Sequence, residues 1–163
     1  MSVLTRYQLR MAWPEQDEPL IARLKVACWR EAYPGILPQP ILDGLDVGRS
    51  TAEWTRALQT GIAWLAEQAG MPVGFAHARA DEVTTLYVRQ ADWGQGVGRE
   101  LLHRAFDEVA CLGHAQAHLW VLEENAPARR FYEHMNGRLT ARRPVGYARY
   151  PRLMEVRYDF ALD

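Results

Sequence analysis

A loop with glycine at every second position constrains this chain most. Trp93-Gly94-Gln95-Gly96-Val97-Gly98-Arg99 joins a short β-branched run at 83–88 to a stretch at 98–112 whose Leu101, Leu102, Ala105, Phe106 and Val109 form an apolar stripe. Strand, glycine turn and helix in succession, followed by a strand-like run at 115–122, predict a right-handed crossover between parallel strands of one sheet. Ligands of such sheets sit beyond the carboxyl ends of the strands, which is where this loop falls. The first N–H groups of a helix lack intrahelical partners and lie at the positive end of its dipole, so the turn can hold a phosphate by main chain alone. Lacking Cβ atoms, the glycines permit positive φ and close approach, and Arg99 adds charge. A dinucleotide fingerprint fails because Arg99 stands where its third glycine belongs, and a P-loop fails for want of a Lys followed by Ser or Thr. A tight strand-to-helix turn that binds nothing is the competing reading.

Around this unit the patterning is regular. Residues 5–13 alternate Tyr7, Leu9 and Met11 with polar neighbours before Pro14, predicting a first strand. Asp17 is the expected N-cap of a helix carrying Leu20, Ile21, Leu24, Ala27 and Cys28, which Tyr33-Pro34-Gly35 ends. A short helix at 40–45 and another at 50–58, with Trp54 and Leu58 on one face, make an α-rich insertion. Runs at 62–67, 73–80 and 83–88 predict a meander that turns at Gly70-Met71-Pro72. After the crossover come a helix at 125–134 and closing strands at 139–143 and 153–160. The order predicts an α+β chain with α/β/α layers around a mixed sheet.

Composition limits the rest. A chain of 163 residues with 48% apolar content predicts one domain spanning 1–163 with a substantial core. Nineteen Lys and Arg against twenty Asp and Glu leave a formal charge of -1, without the basic excess of a nucleic-acid binder. Cys28 and Cys111 have no C-x-x-C spacing, and a domain of this size needs no disulfide, so a reducing compartment is expected. No apolar run approaches the roughly 20 residues needed to cross a bilayer, and the N-terminal stretch has no signal core; the expectation is a cytoplasmic protein away from membranes. No His, Cys, Asp and Glu cluster has metal-ligand spacing, so no metal is expected.

Two segments carry a resemblance. LYVRQADWGQGVGRELL, residues 86–102, resembles the acyl-CoA-binding segment of the GNAT superfamily of N-acetyltransferases, Q/R-x-x-G-x-G/A after a bulged strand. Gly96 and Gly98 match its glycines, and Trp93 stands where Gln or Arg is usual. ENAPARRFYEHMNG, residues 124–137, is similar to the same family's N-x-x-A-x-x-F-Y segment, with Asn125, Ala128, Phe131 and Tyr132 in register. WREAYPGILPQPILDGL, residues 29–45, is similar to a W-R-x-x-Y-x-G-x-L-P stretch near the acceptor site of a subgroup, and EVRYDF resembles the closing strand. The resemblance implies a mainly antiparallel sheet of about seven strands with a splayed strand pair at the acyl-CoA site.

It also implies an activity: transfer of acetyl from acetyl-CoA directly to a primary amine in a ternary complex, without a metal. The backbone of Leu86, Tyr87 and Val88 would pair with the pantetheine arm, and Gln95, Gly96, Val97, Gly98 and Arg99 would hold the pyrophosphate. Asn125 and Ala128 would contact the cofactor, Asn125 serving also as an N-cap. Tyr132 matches the family's general acid, with a packed core aromatic as the bland alternative. Glu82 resembles the acidic base position; Asp81, Glu31 and His118 are rivals. Tyr33, Trp120 and Trp29 either line the acceptor pocket or pack the core. Arg129 and Arg130 read as a solvated helix face. A near-neutral chain with aromatic candidates favours a small amine acceptor, and the closing strands offer an edge for a homodimer. An acyl-CoA-binding sensor without catalysis, and a nucleotide binder using the same loop, stand as alternatives.

Overall fold

In the computed structural model, which describes residues 6–163, a seven-stranded sheet runs in the order β1-β2-β3-β4-β5-β7-β6. β1 (Gln8–Met11), β2 (Ile62–Gln68), β3 (Met71–Arg79) and β4 (Glu82–Val88) form an antiparallel meander. β5 (Gln116–Leu122) lies parallel to β4 and antiparallel to β7 (Met154–Ala161), and β6 (Arg138–Pro144) takes the far edge. The sheet is therefore mixed and mainly antiparallel, as expected. Residue 5 of the anticipated first strand lies outside the described residues.

Helices cover both faces. α1 (Glu18–Ala32), α2 (Gln39–Asp43) and α3 (Val47–Ala57) fill the interval between β1 and β2, α4 (Val97–Cys111) makes the crossover, and α5 (Ala126–His134) precedes β6. The period of two along the strands divides the core. On β3, Phe75 packs with Ile21, Leu24 and Trp54 of α1 and α3, while Ala76 and Ala78 belong to the cluster under α4. Leu101, Leu102 and Val109 of α4 are wholly buried, each stabilising the fold by about 1.5–3 kcal/mol. Gly113, at φ 92, follows the end of α4 in the left-handed conformation that closes helices.

Two helix starts differ from the sequence reading. Asp17 occupies the N-cap position of α1 without capping it; its carboxylate pairs with Arg10 at 2.8 and 3.0 Å and accepts from Trp13 N–H at 2.7 Å. Pro in the first turn removes one donor that a cap would satisfy, and the guanidinium is the stronger partner. α3 begins at Val47, where Asp46 accepts from Arg49 N–H at 2.6 Å. Gly48, a poor helix former, conceals that start from a periodicity reading.

The decisive feature is the β4–β5 junction. The two strands share the register pair Glu82↔His118, reinforced by His118 N–H donating to the Asp81 carbonyl at 2.9 Å. β4 shifts register against β3 between His77 and Ala78, and such an irregularity bends and twists a strand. Beyond Glu82 and His118 the strands part.

Candidate active site

The parted strands open onto a cavity of about 570 Å³ that reaches from the glycine loop to α1 and across to β6 and β7. Its lining includes every residue from Glu82 to Val88.

At one end stands the start of α4. Gly94 and Gly96 have φ 74 and 85, the left-handed conformation that glycine adopts without a steric penalty. Gly98 differs: it lies inside α4, and a Cβ there would meet only Phe131 and Val88 at ordinary contact distances. Gly96 C=O accepts the helical bond from Glu100 N–H at 3.1 Å, so the N–H groups of Val97, Gly98 and Arg99 have no intrahelical acceptor. Val97, buried at 2% exposure, anchors this turn in the core. Trp93 donates its indole N–H to Val88 C=O at 2.9 Å, tying the loop to the end of β4. Gly96, Val97, Gly98 and Arg99 line the cavity; Gln95 is exposed and is not among the lining residues. Asn125 Oδ1 accepts from Ala128 N–H at 3.3 Å, and both residues also line the cavity. Its side chain is thus used as the helix cap.

Three tyrosines converge on the gap. Tyr132, on α5, is 7% exposed and packs against Phe131, Tyr158 and Phe160. Tyr33, at the end of α1, donates its hydroxyl to that of Tyr87 on β4 at 3.4 Å, and Trp29 stands edge-on to both rings. The buried Trp29 indole N–H has no partner among the described residues. Burial pushes the phenols of Tyr33, Tyr87 and Tyr132 above the ordinary tyrosine value, so each is a proton donor at neutral pH. Burial likewise pushes the neighbouring Cys28 thiol up to about 12, making it a neutral packing group.

The candidate bases separate clearly. Glu82 lines the cavity at the vertex where β4 and β5 meet, with no ion pair among the described residues. Glu31 accepts from Arg89 Nε at 2.7 Å and from Gln90 N–H at 2.9 Å. Although burial alone would raise it, these bonds hold its carboxyl below the usual value. It pins α1 to the segment after β4. His118 and Asp81 face each other at 3.5 Å and do not line the cavity.

Trp29, Tyr33 and Trp120 all line the cavity. Trp120 carries the Arg143 guanidinium over its ring, 3.7 Å from the centroid, and Arg143 Nε donates to Glu155 at 2.6 Å. Arg143, Tyr147 and Glu155 line the same wall and escaped the sequence reading. They come from β6, β7 and their connection, and no local spacing marks a cation that stacks two strands away. Arg129 also departs from expectation: it donates to Tyr158 Oη at 3.1 Å and Glu123 C=O at 3.0 Å, tying α5 to β7 and the end of β5.

A sheet parted at its parallel junction, with a glycine-rich helix start at the open end, defines the acyl-CoA N-acyltransferase fold. The chain superposes on the GCN5-related N-acetyltransferase of Rhodopseudomonas palustris with a TM-score of 0.84, over 99% of each chain at 20% identity. It superposes on the PaiA N-acetyltransferase of Thermoplasma acidophilum, solved in complex with coenzyme A, with a TM-score of 0.75 over 94% of this chain and 99% of the other at 15% identity. With yncA of Salmonella typhimurium, solved with acetyl-CoA, the TM-score is 0.72 over 97% and 95% of the chains at 22% identity. The acetyltransferase (GNAT) family pattern matches residues 22–137. The Mycobacterium tuberculosis protein named Probable N-acetyltransferase Rv2775 is 30% identical over 83% of this chain and 84% of its own. The chain belongs to the GNAT family of acetyltransferases.

Proposed function

We propose that this acetyltransferase moves the acetyl group of acetyl-CoA to a primary amine of a small acceptor by direct attack in a ternary complex. The observation that carries the reading is that Glu82 and Tyr132 line one cavity, together with the glycine-rich helix start, at the point where β4 and β5 part. The main-chain edge of Leu86, Tyr87 and Val88 pairs with the pantetheine arm, and the N–H groups at the start of α4, with Arg99, hold the pyrophosphate. Glu82, directly or through water, takes a proton from the ammonium group of the acceptor. The amine nitrogen attacks the thioester carbon, and the C–S bond breaks. Tyr132 gives its proton to the sulfur, and the remaining surplus proton on nitrogen restores the phenol. The products are an amide and free CoA thiol, with one proton released.

Calorimetric titration with acetyl-CoA, followed by free-thiol release against a panel of amines, tests this. Binding with amine-dependent release supports the reading. Binding without release from any amine would point to a non-catalytic acyl-CoA module, and absence of binding would overturn it.

A further inference from the structure

Resting on that reading, we infer that the acceptor is a zwitterion, an amine that also bears a carboxylate, held with its amine at Glu82 and its carboxylate at Arg143. Arg143 is built as a fork. Its guanidinium lies over Trp120, with Cζ 3.7 Å from the ring centroid, and its Nε donates to Glu155 at 2.6 Å. The ring and the carboxylate restrain the group on two sides, and its two Nη groups hydrogen-bond to nothing among the described residues. Arg142, the next residue, spends its Nε and Nη2 on Glu123; alternation along the strand sends the two side chains to opposite faces.

Charge complementarity agrees. Glu82 and His118 are register partners, Trp120 stands two residues farther along β5, and the Arg143 guanidinium lies over the Trp120 ring, so a carboxylate and a guanidinium line the same cavity. A polyamine would set a second cation against Arg143. A simple amine would offer the fork no partner. An acceptor with both charges complements both ends of this wall.

The test is thiol release by the wild-type protein on matched triplets: phenylalanine, phenylalaninamide and 2-phenylethylamine, then leucine, leucinamide and isopentylamine, with each rate referred to the total amine concentration. The amino acid should exceed its amide and its decarboxylated amine in kcat/KM by about 10- to 100-fold, mainly through KM, the range a hydrogen bond to a charged group confers. In Arg143→Met that ratio should collapse towards one, and Arg143→Lys should keep only part of it. Variants are compared after acetyl-CoA titration shows them folded; should neither fold, the wild-type ratios alone decide. Equal or better use of the decarboxylated amines by the wild type, or full discrimination in a folded Arg143→Met, overturns the inference and leaves acetyl transfer standing. Failure of every amine to release thiol overturns acetyl transfer itself, and this inference with it.

Discussion

Glu82 faces His118 across the parallel junction of β4 and β5, and among the described residues this is the register pair at which the two strands meet and from which they part. A parallel ladder normally continues, because each unpaired main-chain N–H and C=O is costly when buried. Here the inner edges of both strands run along a cavity instead. The acidic side chain at the vertex lines that cavity, the position from which the proposed mechanism has it take the acceptor's proton.

Glu82→Gln should lower kcat/KM at neutral pH by about 100-fold or more, the usual contribution of a general base. Activity should recover as pH rises towards the pKa of the acceptor amine, which then arrives without its proton. Glu31→Gln should leave the shape of that pH profile alone and lower stability, because Glu31 bonds to Arg89 and Gln90. A pH–rate profile for both variants, with urea unfolding, distinguishes the roles.

Tyr132→Phe should reduce kcat by about 100-fold or more with little loss of acetyl-CoA affinity, since only the proton donor is removed. Because burial holds the phenol above its ordinary value, the wild-type rate should not decline through loss of this proton up to about pH 9. Equal turnover in the variant, measured by thiol release, would remove the acid assignment.

Gly96→Glu should weaken acetyl-CoA binding by about 10-fold or more, by setting a carboxylate against the pyrophosphate. The position has φ 85, so strain contributes as well. Gly96→Ala, whose Cβ would have no neighbour within 4 Å, carries the strain without the charge. Calorimetry on the two variants divides the effects, and unchanged affinity in Gly96→Glu would discard the loop as the phosphate site.

His77 predicts a pH dependence of stability. It is 2% exposed, with Nε2 3.1 Å from Ala57 C=O and Nδ1 2.5 Å from Thr84 Oγ1, so the neutral ring with the proton on Nε2 satisfies both contacts. Burial, with Arg79 adding to it, lowers its pKa. A depressed value in the fold means that the unfolded chain binds the proton more readily. This stabilisation is complete above the unfolded value of about 6.5 and is lost as pH falls through the folded one. Urea unfolding should show stability falling below about pH 6.5 by up to about 1.4 kcal/mol per pH unit, and His77→Gln should flatten that slope.

Much of this was legible in the residues themselves. Hydrophobic periods of two and 3.6 located the meander, the crossover helix and the closing strands, and the spacing of Gly94, Gly96 and Gly98 located the helix start that faces the cavity. These are local properties: a strand face, a helical stripe or a positive φ depends on residues a few positions apart. Asn125 as a cap was readable for the same reason.

What only the tertiary structure decided are relations between distant residues. Asp17 turns from its helix to Arg10, Glu31 is occupied by Arg89 fifty-eight positions away, and Glu82 is left free of any partner among the described residues. Arg143 becomes a fixed fork because Trp120 and Glu155 reach it from two other strands. Sequence patterning determined the layers and the loop, because those follow from which residues must leave water and which turns the backbone can make. The roles of the charged side chains were settled by folding, because a carboxylate or guanidinium takes whichever partner the packed chain brings within reach, and no local spacing records that choice.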